Sequence, residues 1–136
     1  MRKEWMMAKT PVQIERPPSI ESLQEELKRN PKVVKNYLHL GWTYYVQGSY
    51  DQASQILSDA KDRFPEDVEV LYALALALKK NGDTDAALRF FRKVTLLAEK
   101  MEDRTKSGML RRLAIGHANV ITEGDWNLSH ETWESK

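Results

Sequence analysis

The side chains best suited to chemistry are few in this chain, and their spacing works against it. His39, His117 and His130 are the only histidines. No two of them stand three or four residues apart, the spacing that would put two imidazoles on one helix face as metal ligands. Glu131 follows His130, but the second histidine of a zinc-protease helix is missing. The chain has no cysteine, hence no thiolate nucleophile, thiolate metal site or disulfide framework. No serine sits in a G-x-S-x-G or comparable setting. The glycines are scattered turn residues, not a phosphate-cradling loop. Asp83 and Asp125 each follow a glycine and read as helix N-caps, not as paired catalytic carboxylates. The residues therefore point to no catalytic site, no metal and no cofactor.

The basic set Lys100, Arg104, Lys106, Arg111 and Arg112 is the best candidate for contacts to phosphate. Glu99, Glu102 and Asp103 interrupt it, the pattern of a solvated helix face. With 21 basic against 20 acidic residues the formal charge is only +1, which argues against a dedicated binder of nucleic acid or anionic membrane. No apolar run has the length of a signal peptide or a membrane span. The expected compartment is the cytoplasm.

The elements that would position any site are all helical. Residues 1–18 read as an extended arm, because Pro11, Pro17 and Pro18 disfavour helix at and before each of them. Ser19 then looks like an N-cap for a short helix that stops near Asn30-Pro31. Helices are predicted in pairs after that: about 32–47, closed by Gly48, and about 50–63, closed by Phe64-Pro65. The next pair begins after Pro65, with a third helix ending at Asn81-Gly82 and a fourth, capped by Asp83, that meets no proline and continues to about Met101. A fifth helix ends near Glu123-Gly124, and a last short one covers about 127–134. No strand-like alternation competes, so the class is all-α.

The pattern along these helices repeats. Tyr37, Leu40, Gly41, Tyr44, Gly48, Ala53 and Leu57 map, 34 residues on, to Leu71, Leu74, Ala75, Leu78, Gly82, Ala87 and Phe91. Large apolar positions stay large, small ones stay small, and the turn glycine stays glycine. Such a period marks stacked units that cannot bury their apolar faces alone. Gly41, Ala53 and Ala75 would let helix backbones approach closely, and Gly48 and Gly82 permit a left-handed turn at no steric cost.

The run Tyr37-x2-Leu40-Gly41-x2-Tyr44, followed by Gly48, Tyr50, Ala53, Leu57, Ala60 and Pro65, closely resembles the tetratricopeptide repeat, with tyrosine in place of its usual first tryptophan. The second unit matches through Leu71, Leu74, Ala75, Leu78, Gly82, Ala87 and Phe91, with Val94 and Glu99 replacing the later alanine and proline. A divergent third unit aligns through Leu113, Val120, Gly124, Trp126 and Trp133, with His117 at the usual small position. Leu23, Leu27 and Pro31 resemble the remnant of a preceding unit's second helix. The resemblance implies a right-handed α-α superhelix: arm 1–18, then one domain over 19–136. Within it the cap covers 19–30 and the units cover 34–67, 68–101 and 102–136.

In this family the first helices of successive units line a concave groove. By position, the groove residues would be Lys35, Leu38, His39, Trp42 and Tyr45, then Glu69, Tyr72, Ala73, Leu76, Lys79 and Lys80, then Arg111, Ala114, Ile115 and Ala118. Leu38, Trp42 and Leu76 stand where members that clamp a peptide carboxylate carry lysine and asparagines, so that mechanism is not expected. Leu38, Trp42, Tyr45, Tyr72 and Leu76 suit an apolar helix or extended segment, with Lys35, Lys79, Lys80 and Arg111 as a basic rim. The implied function is non-catalytic binding of a protein or peptide, as an adaptor or assembly factor. Two alternatives stand beside it. One is a self-associating module, either a homodimer or a groove capped by the arm's Trp5, Met6, Met7, Val12 and Ile14. The other is a fragment of a larger regulator.

Overall fold

The computed structural model describes residues 18–126. Most of the arm, the expected last helix over 127–134, His130 and Trp133 lie outside the described residues. Six helices and no strand occur among those that are described: α1 (Ile20–Arg29), α2 (Val34–Val46), α3 (Tyr50–Arg63), α4 (Val68–Lys80), α5 (Thr84–Ala98) and α6 (Arg104–Glu123).

Local chemistry explains where each helix starts and stops. The Ser19 hydroxyl accepts from the Ser22 N–H at 3.1 Å, and Asp67, Asp83 and Asp103 do the same for Val70, Ala86 and Lys106 at 3.1, 3.2 and 3.0 Å. Each satisfies an N–H that the helix itself cannot. Gly48 and Gly82 take φ of 82° and 90°, a region where a Cβ would be strained. Around them the Ser49 N–H donates to the Tyr44 carbonyl and the Asp83 N–H to the Leu78 carbonyl, both at 2.9 Å, the long closing bond of a Schellman turn. The period is thus written in the hydrogen bonds as well as the side chains. It extends backwards too: Asn30 to Glu26 and Val33 to Asn30 (3.0 and 3.3 Å) recur as Phe64 to Ala60 and Asp67 to Phe64 (2.7 and 3.1 Å).

One boundary differs from expectation. α5 stops at Ala98, not Met101. Its last carbonyls are taken by the next helix: Ser107 Oγ donates to Ala98 at 2.6 Å and Arg104 Nη1 to Glu99 at 3.1 Å. Side chains end this helix where no proline is available to do so.

Consecutive helices pack on one another, and α4 also touches both α2 and α6. The result is an all-α helical-repeat solenoid in which the first helices of successive units are neighbours. Every residue of α4 from Val70 to Ala77 is buried, as expected for a helix that is apolar all round. Val70, Ala73, Leu74 and Ala77 join Tyr37, Leu38, Ala53, Leu57 and Ala60 in one core cluster. Leu71, Tyr72, Ala75 and Leu76 join Ala87, Phe91, Val94, Ala98, Leu110 and Ala114 in the other.

The close approach expected at Gly41 is present. A Cβ there would stand 2.7 Å from both Cγ and Cδ2 of Leu57, a fully buried side chain. Gly41→Leu is expected to lower stability by roughly 1–3 kcal/mol through overpacking. Urea unfolding measures this, and a wild-type midpoint would mean that α2 and α3 are not held this close.

Candidate docking surface

The face shared by α2, α4 and α6 carries a connected run of rings. Trp42 and Tyr45 of α2 meet edge-to-face at 5.7 Å, and Tyr45 meets Tyr50, the first residue of α3, at 5.3 Å. Trp42 reaches Tyr72 of α4 at 6.5 Å. Tyr72 in turn contacts Phe91 and His117, both at 6.1 Å. Phe91 and His117 stack at 5.0 Å with planes 13° apart, and His117 meets Trp126 edge-to-face at 4.8 Å. Ring pairs at these separations add attraction beyond the area they bury.

Their burial is unequal. Leu38, Tyr72 and Leu76 are each only 8% exposed and belong to the core clusters. Trp42 and Tyr45 are half-buried, each packed against both clusters. Lys35, His39 and Lys80 are exposed and Lys79 is half-buried. Arg111 goes elsewhere. Its Nε lies 3.6 Å from Glu99 Oε1 beyond the end of α5, and it lines a cleft of about 590 Å³ between α5 and α6 with Leu96, Ile115 and Asn119. α6 begins 36 residues after α4 and ends 43 after it (104 against 68, 123 against 80). The fixed 34-residue step of the first two units does not continue into α6. Glu69 is tied to Lys106 of α6 by an ion pair.

The divergence of this unit also shows at His117. The residue that permits close approach is its neighbour, Gly116: a Cβ there would overlap the indole of Trp126. His117 itself is held between rings, and Lys79 Nζ lies 3.2 Å from its Nδ1. An ammonium can only donate, so Nδ1 accepts and the imidazole is neutral with its proton on Nε2. Burial first, then Lys79, then Lys80, push the His117 pKa down from 6.5 to about 4. Burial, followed by Lys80, lowers that of Lys79. Burial and then Tyr45 push the Tyr72 phenol up to about 12, and burial followed by Tyr50 raises that of Tyr45. Both tyrosines remain neutral phenols. Among the described residues no group of three His, Asp or Glu side chains could hold a metal ion, and no helix is long and apolar enough to cross a membrane.

The lowered pKa of His117 gives a pH dependence whose sign is fixed. Between about pH 6.5 and 4 the unfolded chain binds a proton that the folded chain refuses. Stability contributed by the neutral imidazole is thus intact above pH 6.5, falls as pH drops through that window, and is lost no further below about 4. Lowering the pH from 7 to 5 should reduce the wild-type melting temperature more than that of His117→Gln. Parallel losses in the two proteins would remove His117 as the source.

The family model for the tetratricopeptide repeat matches residues 38–100, which span α2 to α5 almost entirely. The match supports a tetratricopeptide repeat assignment for that span. Tetratricopeptide repeats are generally protein–protein interaction modules, and the family is typically non-catalytic. No curated protein matches the chain in a sequence search. The repeat matched contains Leu38, His39, Trp42, Tyr45, Tyr72, Leu76, Lys79 and Lys80; Lys35 and Arg111 fall outside it.

Proposed function

We propose that this tetratricopeptide repeat domain is an adaptor that holds an apolar helix or extended segment of a protein partner across α2, α4 and α6. The supporting observation is the unbroken run of rings from Tyr45 through Trp42, Tyr72 and His117 to Trp126, which crosses all three helices. Trp42 and Tyr45 are the anchors a partner reaches, because their rings are half-exposed while Leu38, Tyr72 and Leu76 form the packed layer beneath them. Tryptophan and tyrosine are enriched among residues that dominate interface energies. Lys35, Lys79 and Lys80 supply a basic margin that favours a segment with carboxylates, and His39 adds a polar edge. Arg111, paired with Glu99 at the cleft between α5 and α6, is left out of this margin.

The test is capture from native cell extract by wild type, Trp42→Ala and the double variant Lys79→Glu/Lys80→Glu, read by mass spectrometry. A protein retained by wild type and lost from both variants, each of them folded, supports docking on this face. Identical captures from all three place docking elsewhere on the domain.

A further inference from the structure

The end of the ring run contains a side chain from beyond the last described helix. Gly124, at φ 74°, terminates α6 with a left-handed turn. Two residues later the Trp126 indole lies back on α6 over Gly116, against the ring of His117. Gly116 is interior to a 20-residue helix, where glycine is less favourable than alanine by about 1 kcal/mol. What the missing Cβ leaves room for is the indole. Trp126 remains 41% exposed, so it is seated on one face only. Beside this seat, Lys79 spends its contact on the neutral His117, and no carboxylate among the described residues pairs with Lys79 or Lys80. Trp126 is itself flanked by two carboxylates, Glu123 and Asp125, and neither pairs with a cation among the described residues.

We propose that Gly116, His117 and Lys79 form a seat for an acid-flanked tryptophan, filled in cis by Trp126, and that a partner segment of the same chemistry enters by displacing it. The inference rests on the docking reading above and narrows the partner to a segment with a tryptophan among acidic residues. The flat floor at Gly116 admits an indole face, His117 offers its edge-to-face contact, and Lys79 and Lys80, paired with no carboxylate among the described residues, favour an acid-flanked segment by longer-range attraction. A tethered occupant competes at high effective concentration, so the observed affinity of any external segment is lowered by the fraction of seats already filled.

The probe is a fluorescein-labelled peptide with the sequence of residues 122–128, Thr-Glu-Gly-Asp-Trp-Asn-Leu. It is titrated by fluorescence anisotropy into the full-length wild type, Trp126→Ala and Gly116→Ala. Trp126→Ala empties the seat and should bind the peptide roughly tenfold or more tightly than wild type. Gly116→Ala also expels Trp126 but fills the seat with a methyl group, so it should bind no more tightly than wild type. A peptide carrying alanine for its tryptophan should not bind. Equal affinity of Trp126→Ala and wild type, no measurable binding by Trp126→Ala, or equal gains in both protein variants, overturns the proposal. If Trp126→Ala does not fold, the Trp126 indole N–H resonance of wild type decides. Saturating peptide should move it to its position in Gly116→Ala, and a resonance that stays put overturns the proposal. Capture through Trp42 and the lysines can persist when this titration fails, and that combination removes the indole seat alone.

Discussion

Phe91→Ala is expected to remove roughly 3–5 kcal/mol of stability, the range for losing a large aromatic side chain from a packed core. Phe91 is fully buried, stacks on His117 and touches Tyr72, and sits in the cluster that joins α4, α5 and α6. The truncation leaves a cavity bounded by three helices whose own side chains are already interlocked, so little collapse can fill it. Domains of this kind are stable by only about 5–15 kcal/mol, so the loss is a large fraction of the whole. Urea unfolding followed by circular dichroism should show a lower midpoint at an unchanged slope. A midpoint within experimental error of wild type would mean that α6 is not packed on α4 and α5 through this ring.

The second large effect concerns binding. Trp42→Ala should weaken the captured partner's affinity by about 2 kcal/mol or more, roughly 30-fold, the scale of a hot-spot truncation. Trp42 also packs against both core clusters, so its removal will cost some stability as well. The two effects separate by measuring affinity, by calorimetry, well below the variant's melting temperature. The Lys79→Glu/Lys80→Glu variant should weaken the same partner with a salt dependence, because it reverses charge at the margin and removes no ring. Undiminished affinity in a folded Trp42→Ala protein would take the aromatic face out of the interface.

Much of this architecture was legible in the amino-acid order. The 34-residue register announced the helix pairs, Gly48 and Gly82 marked their turns, and Ser19 and Asp83 marked starts. Small residues at Gly41 and Ala53 marked where α2 and α3 meet. All of these are local signals, set by backbone conformation or by a single close contact. What was not legible depends on helix packing beyond the second unit. α6 is longer than α4 and diverges from the two units before it, so alignment alone does not say which neighbours its residues meet. Arg111 faces Glu99, and the contact that needs a glycine falls at Gly116, one residue before His117. Burial was the other hidden quantity. Leu38, Tyr72 and Leu76 have the hydrophobicity of docking residues and of core residues alike, and only the packing of neighbouring helices shows that they are covered.

The use of α4 on all sides has a consequence for how the domain comes apart. Its opposite faces hold the two core clusters together, so neither repeat has a complete interior without the other. Peeling off α2 and α3 would leave Val70 and Leu74 bare to water, and peeling off α5 and α6 would bare Leu71 and Leu76 on the opposite flank. The two repeats are therefore a single cooperative unit, not separable beads. A protease cut or truncation between them would release sticky halves that associate with each other or with strangers, instead of one smaller folded module.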